Sequence, residues 1–187
     1  MPDFLQKIVA RQQQEIATAA AKVPLAALQS AARGRTDYRG LAAALAAPHR
    51  VHIIAEIKRA SPSKGDIGVG LDPAALARAY TAGGASAISV LTERAFFKGS
   101  PEDLAAARAA TALPILRKDF ILAPYQVYES AVMGADAILL IVRILPDDDL
   151  QFLYRLARDL GLDVLVEIHN DGPVTIMLDS RDKFESS

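Results

Sequence analysis

The residues able to do chemistry stand at the ends of short apolar runs. Glu56 and Lys58 close the run that opens "HIIAEIKRASPSKGD" (His52 to Asp66), Lys118 closes "LPILRKDF", and Glu167 lies in "LDVLVEIHN". A Lys that is partly desolvated beside opposite charge can act as a general acid, and a Glu whose pKa is raised by an apolar wall can act as a general base. A second Lys and the loop hydroxyls Ser61 and Ser63 can hold an anionic group. No nucleophile is paired with a base: Ser61 has no His in its motif, and His169 follows Glu167 without a Ser or Cys constellation. The residue types therefore support acid-base chemistry on an anionic substrate.

Strands must position these groups. Successive strand residues point to opposite faces, so Ile54, Glu56 and Lys58 share one side and Ile53, Ala55 and Ile57 the other. In the same way Leu116 and Lys118 share a face with Arg117 opposite, and Leu165, Glu167 and His169 fall in line. A single charge at a strand end is usually just a solvated terminus. Burying a charge without a partner costs several kcal/mol, so three charged strand ends converging on one rim are better explained by a site.

The surrounding pattern is that of βα units. From Val51 onward, short β-rich apolar runs alternate with Ala-rich amphipathic ones. Strands are predicted near Val51 to Ile57, Ala85 to Leu91, Pro114 to Lys118, Ala137 to Val142 and Val164 to Ile168, with helices starting near Asp72, Pro101, Ala123 and Pro146. Asp72-Pro73 and Ser100-Pro101 each put a capping side chain before a Pro at the first helical position. Asp147 to Asp149 place negative charge in a first turn, and Gly84 and Gly134 suit left-handed helix stops. Before Val51 the pattern is helical from about Asp3 to Ala47, divided by Pro24 and the stretch around Gly34 into two or three helices.

Composition narrows the function classes. The chain has 187 residues and a formal net charge of -1, with its cations dispersed, which gives no footprint for nucleic acid. It has no Cys, and His49, His52 and His169 lack ligand spacing, so neither a disulfide framework nor a metal site is expected. No signal-like segment or apolar run of about 18 residues occurs, so a soluble cytoplasmic protein is expected, away from membranes.

Continuous Val/Ile/Leu strands are usually buried on both faces and parallel. That leaves an open doubly wound sheet or a (β/α)8 barrel, and both place their sites at the C-terminal strand ends. A dinucleotide-binding sheet should carry G-x-G-x-x-G after its first strand, where this chain has "KRASPSKGD".

The motifs "IIAEIKRASPSKG", "SVLTERAFFKGSPEDL", "LPILRKDFILAPYQVYESAVMGADAILLIVRIL" and "GLDVLVEIHN" together resemble the indole-3-glycerol-phosphate synthase family, over roughly residues 3 to 170. The resemblance implies an α/β fold: a (β/α)8 TIM barrel with an N-terminal helical extension over residues 1–50. It further implies a cofactor-free and metal-free lyase that closes, decarboxylates and dehydrates 1-(2-carboxyphenylamino)-1-deoxyribulose 5-phosphate. By the same resemblance Lys118 matches the general acid, Glu167 the base of the later dehydration and Glu56 a further catalytic acid. Lys58 matches a substrate-anion ligand, Ser61 a loop residue near the anthranilate carboxylate, and Phe97, Phe120 and Leu139 apolar substrate contacts.

The resemblance fades after about residue 170, where "DGPVTIMLDSRDKFESS" follows. A complete barrel needs about 250 residues, so residues 51–170 are expected to form a partial barrel of five to six βα units, with 171–187 a divergent tail. Within the tail "IMLDSRD" is similar to the family's "INSRD", which would make Asp179 and Arg181 substrate ligands. An unclosed barrel exposes apolar strand edges that favour self-association. Two competing expectations are a non-catalytic barrel fragment that needs a partner, and another phosphosugar isomerase or aldolase barrel.

Overall fold

The computed structural model describes residues 4–46, 48, 51–68 and 70–167. Three helices precede the sheet: α1 (Phe4–Lys22), α2 (Leu25–Arg33) and α3 (Leu41–Ala44). Pro24 is the N-cap of α2 and Gly34 its C-cap, so the punctuation expected from the sequence falls where the helices break. The barrel unit then runs β1 (Ile54–Ile57), the hairpin strands β2 (Ala60–Ser61) and β3 (Gly65–Asp66), α4 (Pro73–Ala82), β4 (Ala87–Leu91), α5 (Pro101–Ala110), β5 (Ile115–Lys118) and α6 (Pro124–Met133). It continues with β6 (Ala137–Ile141), α7 (Asp147–Leu160) and β7 (Asp163–Glu167).

The sheet is parallel and ordered β1-β4-β5-β6-β7. Among the described residues each new strand of this sheet is laid beside the one before it, with no reversal of order and so no switch point, which favours the barrel progression over the doubly wound alternative. Four βα units and a fifth strand make up the described part.

Local chemistry sets the helix boundaries. Asp72 accepts from the N–H groups of Ala74 and Ala75, and Ser100 from that of Asp103, which satisfies N-terminal donors of α4 and α5. For α6, Gln126 reaches back instead: its Oε1 accepts from Leu122 and Ala123 N–H, and its Nε2 donates to the Phe120 carbonyl at 3.0 Å. Gly134 and Gly161 end α6 and α7 in the left-handed region, at φ 93° and 92°.

Alternation along the strands divides two cores. Ile57, Ile88, Val90, Ile115, Ile138 and Leu140 face outward onto the helices. Ala87, Leu116 and Ala137 face the lumen at its N-terminal end, where Leu41 of α3 packs on them as a plug. Asp136 fixes that end: its buried carboxylate takes Arg35 Nη2 at 2.9 Å, Arg108 Nη1 at 2.7 Å and the backbone N–H groups of Arg39 and Ile115. Arg39 donates to the carbonyls of Thr111 and Leu113, and Ala42 N–H to Asp163. The other end of the extension lies across the opposite rim, with Phe4 edge-on to Phe96 at 5.0 Å and Gln12 Nε2 2.8 Å from Asp119 Oδ1.

Among the described residues β1 and β7 each have one neighbouring strand, and Ile53, Leu165 and Val166 on these edges are exposed. No described helix is long and apolar enough to cross a membrane.

Candidate active site

The C-terminal ends of β1, β5 and β7 bring Glu56, Lys118 and Glu167 to the wall of one cavity of about 180 Å³. Lys58, Leu91, Phe97, Phe120 and Leu139 complete most of that wall. A further lumen space below it is lined by Ile54, Ser89, Leu116 and Leu165 and continues past Glu56, Lys118 and Glu167. The face assignments from strand alternation therefore hold: Leu116 and Lys118 look into the lumen and Arg117 looks away, into the helix layer.

Glu56 is the electrostatic centre. Its Oε1 lies 2.8 Å from Lys58 Nζ and its Oε2 2.9 Å from Lys118 Nζ. Burial pushes the Glu56 carboxyl up, but the hydrogen bonds and charges of Lys58 and Lys118 outweigh it and hold the group below its ordinary value. At Glu56 this reverses the expectation of a Glu raised by an apolar wall. The two lysines, not the lumen's apolar lining, set its ionisation.

The aromatic side of the cavity is made by two loops. Phe97 and Phe120 rings stand 6.2 Å apart, tilted by 38°. Phe97 is held through Glu93, whose buried carboxylate accepts the N–H groups of Ala95, Phe96 and Phe97 at 2.7 to 2.9 Å. Gly99 closes this loop against the strand: its N–H donates to the Glu93 carbonyl, and a Cβ there would sit 2.1 Å from the Leu91 carbonyl oxygen. Phe97 O in turn accepts from Ala60 N–H, which ties the loop after β4 to the loop after β1.

Behind Lys118 and Phe120, Asp119 is buried and takes four donors: Gln12 Nε2, Phe120 N–H, Thr92 Oγ1 and Arg117 Nη2. Burial works against the Arg117 charge, but Asp119 and Glu129 outweigh it and its pKa lies above the ordinary Arg value.

Ser61 is not brought to the cavity. It lies in the β2–β3 hairpin, where its Oγ accepts from Lys64 N–H and lies 3.5 Å from Ser63 Oγ. The hairpin is anchored by Lys98 Nζ on Asp66 at 2.5 Å and by the bidentate Arg59–Asp103 pair that joins its approach to α5. His169, Asp179 and Arg181, with the tail 171–187, lie outside the described residues.

Glu93, Asp119, Gln12 and Ser89 are site-supporting residues that sequence reasoning missed. Asp119 and Glu93 stand inside the quoted motifs; an acid directly before Phe120 and an acid three residues before the Phe96–Phe97 pair were the available signals. Gln12 had none, because its partner lies 107 residues away.

The comparisons with known proteins agree with this geometry. The family model for indole-3-glycerol phosphate synthase matches residues 5–184. An indole-3-glycerol phosphate synthase of Desulfosudis oleivorans is 53% identical over 174 residues, and one of Chromobacterium violaceum is 51% identical over 174 residues; each alignment covers 91% of this chain. A third, from Syntrophobacter fumaroxidans, is 45% identical over 193 residues. The chain spans 66% of the length of the first two relatives and 73% of the third. With a barrel-ordered parallel sheet, the charged strand ends on one lumen and this extent of identity, the chain belongs to the indole-3-glycerol phosphate synthase family.

Proposed function

We propose that the chain carries the carboxy-lyase activity of its family, turning 1-(2-carboxyphenylamino)-1-deoxyribulose 5-phosphate into indole-3-glycerol phosphate with loss of carbon dioxide and water. The observation that carries this is the convergence of Lys118, Glu56, Glu167 and the Phe97–Phe120 pair on one cavity. In this reading Lys118 Nζ protonates the substrate's ketone oxygen as the aryl carbon bearing the carboxylate attacks the carbonyl carbon. Loss of carbon dioxide returns the bonding pair to the ring. Lys118, given a proton again by solvent, protonates the new hydroxyl, which leaves as water, while Glu167 removes a proton from the adjacent methylene carbon and the electron pair closes the indole double bond. Glu56 orients Lys118 through their ion pair. Lys58 meets the substrate's anion, while Phe97, Phe120 and Leu139 hold its aryl face. Ser61 would contact the substrate carboxylate only after the hairpin moves inward.

This assignment is tested by following the fluorescence of indole glycerol phosphate as the purified chain turns over its substrate. Lys118→Ala should lower kcat by about 100-fold or more, as expected for removal of a general acid. Turnover that Lys118→Ala leaves intact overturns the assignment.

We further infer a cytoplasmic protein that acts on a phosphorylated small molecule and not on nucleic acid. The exposed apolar residues of the β1 and β7 edges favour self-association. A concentration-independent monomer in sedimentation would overturn that last inference.

A further inference from the structure

The cavity side of Lys118 and Phe120 belongs to the site already described, but the side behind them does not. There the buried Asp119 carboxylate is divided between two tasks. Its Oδ2 accepts from Thr92 Oγ1 at 2.5 Å and Arg117 Nη2 at 2.9 Å, which fixes it to β4 and β5. Its Oδ1 accepts from the Phe120 N–H at 2.8 Å and from Gln12 Nε2 at 2.8 Å. The latter donor comes from a different part of the molecule, the buried face of α1, and it shares an oxygen with the backbone amide of a cavity residue. Gln12 is 4% exposed, and its Oε1 is buried without a hydrogen-bond partner among the described residues, so one amide atom is left unsatisfied while the other reaches Asp119. An unsatisfied buried acceptor is costly, and an apolar side chain of the same length would avoid it.

We propose that Gln12 is a positioning residue for the reaction: through Asp119 it sets the backbone from Lys118 to Phe120, and so the placement of the acid's ammonium against the aryl wall. Among the described residues Gln12 touches no cavity residue other than Asp119 by hydrogen bond, so its influence passes through that carboxylate. Asp119 sits between Lys118 and Phe120 in the chain, so a rotation of its carboxylate moves both neighbours together. A displacement of about 1 Å at a reacting group can lower a rate by about 100-fold, and a change confined to one of four donors should cost less. Substrate binding, spread over Lys58, Phe97 and Leu139 as well, should change little.

This inference rests on the proposed lyase activity, so its test has an arm that does not need turnover. The chain has six phenylalanines, and selective 15N-Phe labelling gives a resolvable amide peak for each. In Gln12→Met, which keeps the side-chain length and removes both amide atoms, the Phe120 amide peak should shift while that of Phe152 on α7 stays in place. The thermal midpoint should stay within a few degrees, kcat should fall about tenfold, and KM should stay within about twofold. Gln12→Ala repeats the measurement should Met overpack the site. A Phe120 peak that does not move, or one that moves with kcat unchanged, overturns the proposal. A wild-type chain without turnover sinks the activity assignment instead, and the Phe120 peak then still decides whether Gln12 sets this segment.

Discussion

Lys118 Nζ and Glu56 Oε2 are 2.9 Å apart across the lumen, although they belong to strands separated in the sheet by β4. Glu56 also binds Lys58, so one carboxylate serves two ammonium groups. Removing either lysine leaves the burial that raises Glu56 and takes away part of what lowers it. In Lys118→Met the Glu56 pKa should therefore rise, as followed by 13C titration of Glu carboxylates. A Glu56 titration unchanged by the substitution would mean that Lys118 does not pair with it in solution.

The same depression couples this site to acid stability. Glu56 has a folded pKa below its unfolded value, so its contribution is present above the ordinary Glu pKa, about 4.3, and is lost as pH falls through the folded value. Glu56→Gln should be less stable than the parent at pH 7, with the difference shrinking as pH is lowered below about 4. Urea midpoints at the two pH values measure it. A difference that grows in acid has the wrong sign.

Gly99→Ala should lose about 2 kcal/mol or more, because the Cβ would sit 2.1 Å from the backbone oxygen of Leu91 and neither chain can yield cheaply. The loop that presents Phe97 has to move, so KM should rise even in the folded fraction. Denaturant unfolding and substrate titration of the same sample separate the two effects.

At the opposite end, Asp136→Ala should cost about 3–5 kcal/mol, since it leaves Arg35 and Arg108 without their shared buried partner and strands the Arg39 and Ile115 N–H groups. Asp37, which also receives Arg35 and Arg108, is exposed, so Asp37→Ala should cost well under half as much. Equal losses from the two substitutions would show that burial does not distinguish them.

The parts of this molecule governed by local rules were legible in its sequence. Period-two alternation put Glu56 and Lys58 on one face and Leu116 and Lys118 on another, and the structure joins them in one lumen. Asp72, Ser100 and Gly134 marked helix ends because capping and left-handed turns depend on a few adjacent residues. The strand near Val51 begins three residues later, at Ile54, since the length of a strand is decided by its neighbour and not by its own apolar run. The sign of the Glu56 shift was only half legible: Lys58 shares its strand face and is close in sequence, but the other lysine that lowers it, Lys118, lies 62 residues away. The small hairpin of β2 and β3, which carries Ser61 away from the cavity, was hidden in a stretch that reads only as loop.

The extension that spans the barrel also sets the order in which the chain can be completed during synthesis. Gln12 emerges 107 residues before Asp119, and Arg35 about as far ahead of Asp136, its partner 101 residues later. At about 5–20 residues per second, α1 must wait roughly 5–20 s for its partner. Over that interval its apolar face has no barrel to cover it, so a segment made well before the barrel settles only after its strands are in place.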